Sequence, residues 1–483
     1  MADAPRAPGE TAAPVFVSGF CNAAARPYLL VAAILASALG FIDGTVVSIA
    51  LPAMRASLGA DLAQAQWIHN AYMLTLSALI LVGGAAGDRF GLARVFGIGI
   101  GVFLASSVVC AIAPSPSVMI GARTVQGIGA AIMVPGSLAL IARAYPREER
   151  GWAIGIWAAA SALTTALGPI VGGLALTLGG PEMWRWIFAV NLPLGGLALW
   201  LLWRNVDQDP KREGQRLDAP GAAVATAALL ALAWSLTSEA WIWALAGGAL
   251  LLAFLGIEAR SPAPMMPLSL FRARAFSAAN LLTFLLYGAL NIMFFFMPMT
   301  FIAGWGYSEI AASATFAPMS VFIALLSARA GRFADRIGPA PLLAGGSLIV
   351  AAGYAAMAAL APFQNLWWHI LPAMCLVGLG MSAVVAPLSA TVIGAVEDAQ
   401  TGVASGVNNA ITRMAGLIFV AAVGPLIAAR YAASGGQASF GVPSDTEGHA
   451  AAMTAAFGTI GWLSAALCLA SALIAFLAIP RRA

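Results

Sequence analysis

One carboxylate and two guanidinium groups interrupt apolar runs that are otherwise long enough to be membrane helices. Asp43 lies within the run 28–51, Arg123 within 117–141 and Arg413 within 402–430. An ionised carboxylate near a helix centre costs about 2.5 to 3.5 kcal/mol even on a lenient insertion scale. Burial favours the neutral carboxyl group and a nearby cation favours the charged one, so Asp43 is a candidate for binding and releasing a proton. The alternative interpretation is a structural ion pair.

Depth along the helix axis predicts which cation pairs with Asp43. With about 1.5 Å of rise per residue and an apolar core about 30 Å thick, Asp43 lies roughly 8 Å below the outer boundary. Arg123, on a helix that runs inward, lies roughly 9 Å below it. Gln126 shares a helix face with Arg123 because it follows three residues later. The sequence therefore predicts a proton-coupling site of Asp43, Arg123 and Gln126, nearer the outer face than the midplane.

The elements that must position these residues are membrane helices. Hydrophobic residues make up 61% of the 483 residues and charged residues 9%, unlike a soluble domain, and open sheet edges would be unsatisfied in lipid. Apolar runs of about 20 residues predict an all-α membrane protein of about fourteen spans, in the order six, two and six. The predicted spans are 28–51, 66–86, 94–113, 117–141, 152–178, 186–203, 219–236, 241–257, 275–303, 309–328, 340–360, 367–393, 402–430 and 451–478.

Polar breaks between the runs predict the domain organisation. They indicate a disordered cytoplasmic arm at 1–27, a six-helix bundle at 28–203, linker segments with two inserted helices at 204–274, and a second six-helix bundle with a short tail at 275–483. An even number of spans places both termini on one side. If that side is the cytoplasm, most of the 24 Lys and Arg residues lie there. We therefore expect a multi-pass protein of the cell (inner) membrane with both termini cytoplasmic.

A short polar loop occurs twice at equivalent places. Gly-Asp-Arg-Phe-Gly at 87–91 follows the second span of the first bundle, and Ala-Asp-Arg-Ile-Gly at 334–338 follows the second span of the last bundle. Two related bundles around a central site are a common architecture of transporters.

Five stretches resemble the major facilitator superfamily, and in particular its fourteen-span drug:proton antiporter branch of the EmrB/QacA type, over about residues 28–478. They resemble the first-helix motif, the gating loop, the buried-arginine motif, the antiporter motif and the entry to the sixth span. In that order they lie at 43–52, 84–94, 123–129, 168–173 and 184–193. The resemblance implies the major facilitator fold.

The resemblance also implies roles for particular residues. The gating loop comprises Gly84, Asp88, Arg89, Gly91 and Arg94, with Asp335 and Arg336 in the second copy, and the antiporter motif comprises Gly168, Pro169, Gly172 and Gly173. Leu92 and Ala93 stand where basic residues are usual, and Thr164 where a glycine is often found. Anchoring by basic residues on the cytoplasmic side and close helix packing by glycines are the alternative interpretations.

The ninth predicted span is rich in soft and aromatic side chains that suit lipophilic cargo. Its candidate cargo residues are Tyr287, Asn291, Phe294, Phe295 and Met297. Such residues also face lipid routinely, and consecutive phenylalanines cannot all line a cavity.

Arg413, with Asn408 nearby, completes the predicted cargo site. It lies about 16 Å from the cytoplasmic boundary, where its own bundle offers no carboxylate. It could bind backbone carbonyls, reach the bundle of Asp43, or meet an anionic group of the cargo. The three intramembrane charges sum to +1, which argues against assuming dicationic cargo.

These observations predict a proton-coupled antiporter that exports lipophilic small molecules or drugs by alternating access. The alternative is a proton-coupled carrier of an endogenous metabolite or lipid in the same fold. An enzyme is disfavoured because His69, His369 and His449 are isolated and no metal motif is present. We expect the protein to use a proton gradient and no cofactor. We expect it to contact the lipid bilayer and not nucleic acid, and a periplasmic adaptor protein remains an open alternative.

Overall fold

Backbone amides that cross an apolar phase must bond within their own segment, and the chain is accordingly helical almost throughout. The computed structural model describes residues 21–206, 218–238, 240–262, 264, 266–396 and 401–480. Most of the predicted arm at 1–27 and part of the linker at 204–274 lie outside the described residues, as do the side chains of Asp88 and Asp335.

The first bundle consists of helices that pack around α1, α2 and α4. In chain order its helices are α1 (Arg26–Leu58), α2 (Leu62–Phe90), α3 (Leu92–Ala111), α4 (Pro116–Ala144), α5 (Arg147–Gly179), α6 (Trp184–Ala189) and α7 (Asn191–Asn205). Within it α4 packs on α2 and α3, and α1 packs on α5 and α7.

Two helices follow between the bundles. They are α8 (Ala219–Ser238) and α9 (Trp241–Glu258), which pack against each other. Helix α8 also contacts α2, where Leu229 and Ala233 join Leu74 and Ala78 in a small apolar cluster.

The second bundle repeats the arrangement of the first. Its helices are α10 (Arg274–Met299), α11 (Glu309–Ala314), α12 (Ala317–Ile337), α13 (Pro339–Leu360), α14 (Leu371–Gly394), α15 (Thr401–Ala433) and α16 (His449–Ala478). A π turn at Thr300–Gly304 extends α10. Helix α15 contacts α2 and α8 as well as its own bundle.

Among the described residues, eleven helical segments are long and apolar enough to cross a membrane. Two predicted spans are broken, at α6/α7 and at α11/α12. Proline lacks an amide proton and its ring clashes with the carbonyl four residues earlier. Pro193 lies four residues after Ala189, where α6 ends, and Pro318 lies four residues after Ala314, where α11 ends.

The repeated loop has the same backbone geometry in both bundles. Gly91, between α2 and α3, has φ 99°, and Gly338, between α12 and α13, has φ 85°. Positive φ is cheap only for glycine, so each copy ends on the residue that permits an abrupt turn into the next helix.

The two bundles meet at one end of the molecule, which we call the joined end. There the Arg55 guanidinium donates to the carbonyl of Phe440 and, at 2.9 Å, to Ser439 Oγ. Gln66 Nε2 donates to the carbonyl of Val420 at 2.6 Å. Buried side chains of α1, α2, α10 and α15 form one continuous apolar cluster around these contacts. The joined end therefore closes one face of the central region.

Candidate functional site

Asp43 lies inside the first bundle on α1 and forms an ion pair with Arg123 of α4. Both side chains are only 1% exposed. A buried pair of this kind gains from mutual attraction but loses hydration, and removal of one partner strands the other charge. The structure thus brings together the two charged residues for which the sequence predicts similar depths in the membrane.

Gln126 lies between the two members of the pair. Its Nε2 donates to Asp43 Oδ1 at 3.3 Å, and its Oε1 accepts from Arg123 Nη1 at 2.6 Å. Ser107 of α3 fixes this amide by accepting from Gln126 Nε2 at 2.9 Å, and also accepts from Asn191 Nδ2 at 3.2 Å. Four helices therefore hold the orientation of one amide beside the carboxylate.

The guanidinium of Arg123 has partners that do not depend on Asp43. Its Nε donates to the carbonyl of Ile68 at 3.2 Å. Its central carbon lies 4.3 Å from the ring centre of Tyr72 and 5.8 Å from that of Phe188. Cation–π contacts of this kind stabilise a desolvated cation. The arginine thus has support when the carboxyl group is neutral.

Several members of this network carry no clear sequence signal. Ser107 and the carbonyl of Ile68 are ordinary features of apolar helices, whereas Asn191 belongs to the stretch that resembles the entry to the sixth span. Tyr72 could have been suspected only from knowing which face of α2 meets α4. His69, which hydropathy places near a span end, lies two turns inside α2 with its ring centre 5.5 Å from that of Phe295.

The predicted cargo residues of α10 lie on different faces of the helix and differ in burial. Phe295 and Met297 are fully buried in the apolar cluster of the joined end. Tyr287, Asn291 and Phe294 are partly exposed and follow the i, i+4, i+7 spacing of one helix face. The five predicted residues therefore do not share one surface.

Asn408 and Arg413 have different surroundings on α15. Asn408 Nδ2 donates to Asn280 Oδ1 at 3.0 Å and to Thr283 Oγ1 at 2.9 Å, so its amide joins α15 to α10. Arg413 is partly exposed and its Nη1 lies 4.0 Å from Met73 Sδ. Arg413 therefore reaches the bundle that contains Asp43.

The glycines of the antiporter motif lie at helix contacts. A side chain at Gly172 would collide with Val46 of α1, and a Cβ at Gly173 would lie 2.6 Å from the carbonyl oxygen of Glu309 in α11. Gly168 and Pro169 are buried in the same helix. Gly173 thus permits close contact between the two bundles, near the bond of 3.2 Å from Thr177 Oγ1 to Glu309.

The basic residues of the predicted gating loop lie at the surface. Arg89 is exposed with its guanidinium 5.2 Å from the ring centre of Phe90. Arg94 and Arg336 are also exposed, and Gly84 is partly exposed on α2. The two carboxylates assigned to this loop lie outside the described side chains.

Among the described residues, no group of three or more His, Cys, Asp or Glu side chains could hold a metal ion.

Comparisons with known proteins agree with this architecture. The sequence model of the Major Facilitator Superfamily matches residues 33–421. The chain is 33% identical over 406 residues to the puromycin resistance protein pur8 of Streptomyces alboniger, a match that covers 81% of this chain and 80% of that protein. It is 30% identical over 408 residues to the methylenomycin A resistance protein of Streptomyces coelicolor, which covers 82% and 85%.

A solved structure shows the same fold at low identity. A bacterial homologue of the human lysosomal transporter Spinster, in an inward-facing and unoccupied conformation, matches with a TM-score of 0.69 and 16% identity over 95% of this chain and 97% of that one.

Proposed function

The chain belongs to the major facilitator superfamily, and from that premise we propose that it exports lipophilic small molecules or drugs in exchange for protons. It is a membrane-embedded transporter, and the prediction that it is not an enzyme is confirmed by family membership. Its relatives include resistance proteins whose names refer to puromycin and methylenomycin A.

The single observation that carries the proposal is the buried pair of Asp43 and Arg123 with the amide of Gln126 between them. Protonation of Asp43 removes the charge that attracts Arg123, while Ile68 and Tyr72 still hold the guanidinium. The pair can therefore open without stranding a cation. We infer that this change favours one arrangement of the bundles, and that loss of the proton favours the other.

Proton entry supplies the energy for export. Moving one charge through the membrane potential is worth about 2.3 kcal/mol per 100 mV, before any contribution of the pH gradient. Asp43 binds a proton from outside while cargo leaves, and releases it inward after the bundles rock. One such carboxylate corresponds to one proton per cycle.

We place the joined end at the outer face, so that this conformation opens inward. The placement follows the excess of Lys and Arg in the loops assigned to the cytoplasm. The contacts of Arg55 and Gln66 with the second bundle, at the joined end, must then break for cargo to leave.

The finer membership that we propose is the fourteen-span drug:proton antiporter branch. Among the described residues, eleven helical segments have both the length and the hydropathy of a membrane span. Of the other helices, α2 has 29 residues, α5 has 33 and α8 has 20. Each is long enough to cross a core about 30 Å thick. Fourteen crossings place both termini on the same side, which the excess of Lys and Arg assigns to the cytoplasm, with α8 and α9 as the inserted pair.

The alternative is a proton-coupled carrier of an endogenous metabolite or lipid, since the partly exposed face of Tyr287, Asn291 and Phe294 suits any amphiphile. Deletion of the gene distinguishes the two. Greater susceptibility to antibiotics supports drug export, whereas unchanged susceptibility with an accumulated cellular compound supports the alternative.

The decisive experiment is transport by purified protein in proteoliposomes with an imposed pH gradient. Methylenomycin A, which carries a carboxyl group, is a suitable first probe. Asp43→Asn should reduce gradient-driven uptake to the level of empty liposomes, because the amide cannot exchange a proton. Asp43→Glu, the matched control, should retain part of the activity, and thermal unfolding should show that both variants fold. Uptake by Asp43→Asn at the unmodified rate would refute proton coupling at this residue.

A further inference from the structure

Three neighbouring residues of α2 carry buried polar atoms without hydrogen-bond partners among the described residues. They are His69 Nε2, both amide atoms of Asn70, and the hydroxyl oxygen of Tyr72. Asn70 is 0% exposed and Tyr72 is 1% exposed. Buried polar groups are nearly always satisfied, so a concentration of unsatisfied groups on one helical turn indicates a place where another molecule supplies the bonds.

This turn lies between the proton site and the second bundle. Tyr72 stacks on Arg123 of α4, with 4.3 Å between the guanidinium carbon and the ring centre. Met73, next in sequence, meets Arg413 of α15. Asn70 precedes Met73 by three residues and therefore lies on the same face of α2. The same turn therefore touches the residues of proton coupling on one side and a second cation on the other.

Arg413 forms no ion pair with an acidic side chain among the described residues. Asp43, the intramembrane carboxylate, is already paired with Arg123. A lone cation at this depth is costly, and intramembrane cations ordinarily pair or line a ligand path. Its thioether neighbour Met73 cannot balance a charge. The charges of Asp43, Arg123 and Arg413 therefore sum to +1, and one further negative charge would balance them.

The lipophilic face of α10 adjoins this cation. Gly416, one turn after Arg413 on α15, is so close to Asn291 that a Cβ there would lie 2.9 Å from the amide carbon. Asn291 belongs to the partly exposed stripe with Tyr287 and Phe294. A molecule held by its head at Arg413 can therefore extend an apolar body along that stripe.

We propose that Arg413 and Asn70 form a head-group subsite for a cargo that carries one negative charge on oxygen, such as an amphiphilic carboxylate. The proposal rests on the proposed function and narrows its substrate class. The Arg413 guanidinium and the side-chain amide nitrogen of Asn70 donate to the anionic oxygens, and the side-chain amide oxygen of Asn70 accepts from a hydroxyl of the cargo.

One consequence concerns charge movement. Export of a monoanion in exchange for one proton moves a negative charge outward and a positive charge inward, so both steps carry current in the same direction. The membrane potential then drives the export of such a cargo more strongly than that of a neutral one.

The test uses the full-length protein in lipid nanodiscs and three probes of the same shape. Pyrenebutyrate is anionic, pyrenebutanol neutral and pyrenebutylammonium cationic, and each quenches tryptophan fluorescence on binding. We expect pyrenebutyrate to bind at least about tenfold more tightly than the other two, as a charge-assisted hydrogen bond provides. Equal binding of the three, binding of none, or a preference for the cation overturns the proposal.

Variants test whether the preference for the anionic probe depends on the subsite. Arg413→Gln should remove the preference for pyrenebutyrate and leave pyrenebutanol binding within about twofold, while Arg413→Lys should restore most of it. Asn70→Ala should weaken pyrenebutyrate alone. Arg329→Gln, which removes an exposed arginine of α12, is the matched control and should change nothing. Retention of the anion preference in Arg413→Gln overturns the subsite, whether or not Arg413→Lys folds.

Failure here is distinguishable from failure of the proposed function. If Asp43→Asn abolishes gradient-driven transport while Arg413→Gln keeps its anion preference, export stands and the subsite falls. If Arg413→Gln loses the preference while Asp43→Asn still transports with the pH gradient, the subsite stands and proton coupling at Asp43 falls.

Discussion

At the scale of single residues, the molecule stabilises a carboxylate in an apolar region with groups that remain in place when its charge is lost. Arg123 keeps the carbonyl of Ile68 and the ring of Tyr72, and Gln126 keeps Ser107. Removal of one member of a buried pair ordinarily leaves an uncompensated charge. Here the second set of contacts reduces that penalty, as the proposed proton cycle of Asp43 requires.

Gln126→Leu tests this arrangement. The variant removes a hydrogen bond that favours the charged carboxylate, so protonation should occur at higher pH and the pH midpoint of transport should rise by about one unit. Ser107→Ala should cause a smaller rise, because it only loosens Gln126. Ser106→Ala is the control, since its hydroxyl bonds within α3 alone. If Gln126→Leu and Ser107→Ala both transport with the unmodified midpoint, the result contradicts a proton site beside Gln126.

At the scale of helices, α5 is positioned by glycines on two of its faces. Gly172 faces α1 of its own bundle and Gly173 faces α11 of the other. Small residues permit helices to approach closely where no hydrophobic force distinguishes protein from lipid. The stretch that resembles an antiporter motif therefore lies at a contact between bundles, where a change of packing alters the balance between conformations.

Gly173→Ala should separate α5 from α11 at the joined end. The added methyl group meets the backbone carbonyl of Glu309 as well as the hydroxyl of Ser313, and overpacking of this kind costs about 1 to 3 kcal/mol. A cysteine at Ala312, buried in α11, should then react faster with a membrane-impermeant maleimide, in a background without the four native cysteines. Gly121→Ala, which adds a methyl group in open space, is the control. Unchanged labelling would argue against this contact as part of a gate.

At the scale of the whole molecule, two bundles are joined at one end and enclose polar groups from both. Arg55, Gln66 and Thr177 of the first bundle each bond to the second. Helices α8 and α9 lie beside this assembly, with α8 against both α2 and α15. Separate rigid bundles that share few polar contacts suit rocking about a central site.

The number of crossings can be tested at a single loop. If α8 and α9 both span the membrane, a reporter inserted after Ala240 lies outside, so alkaline phosphatase fused there should be active and green fluorescent protein should not fluoresce. The same reporters at the C-terminus should give the opposite pattern. Cytoplasmic signals at both positions would reduce the number of crossings and exclude the fourteen-span branch.

The sequence by itself determined positions along the membrane normal. Helix rise converts residue number into depth, and depth alone predicted that Asp43 pairs with Arg123, while hydropathy predicted the helical segments. The rotation of each helix about its axis was decided only by tertiary packing, because neighbours that are distant in sequence determine which face is buried. Packing used the amide of Asn408 between helices, enclosed Phe295 and left Tyr72 beside Arg123. It also joined Arg413 to the bundle of Asp43, which a one-dimensional measure of depth cannot reveal.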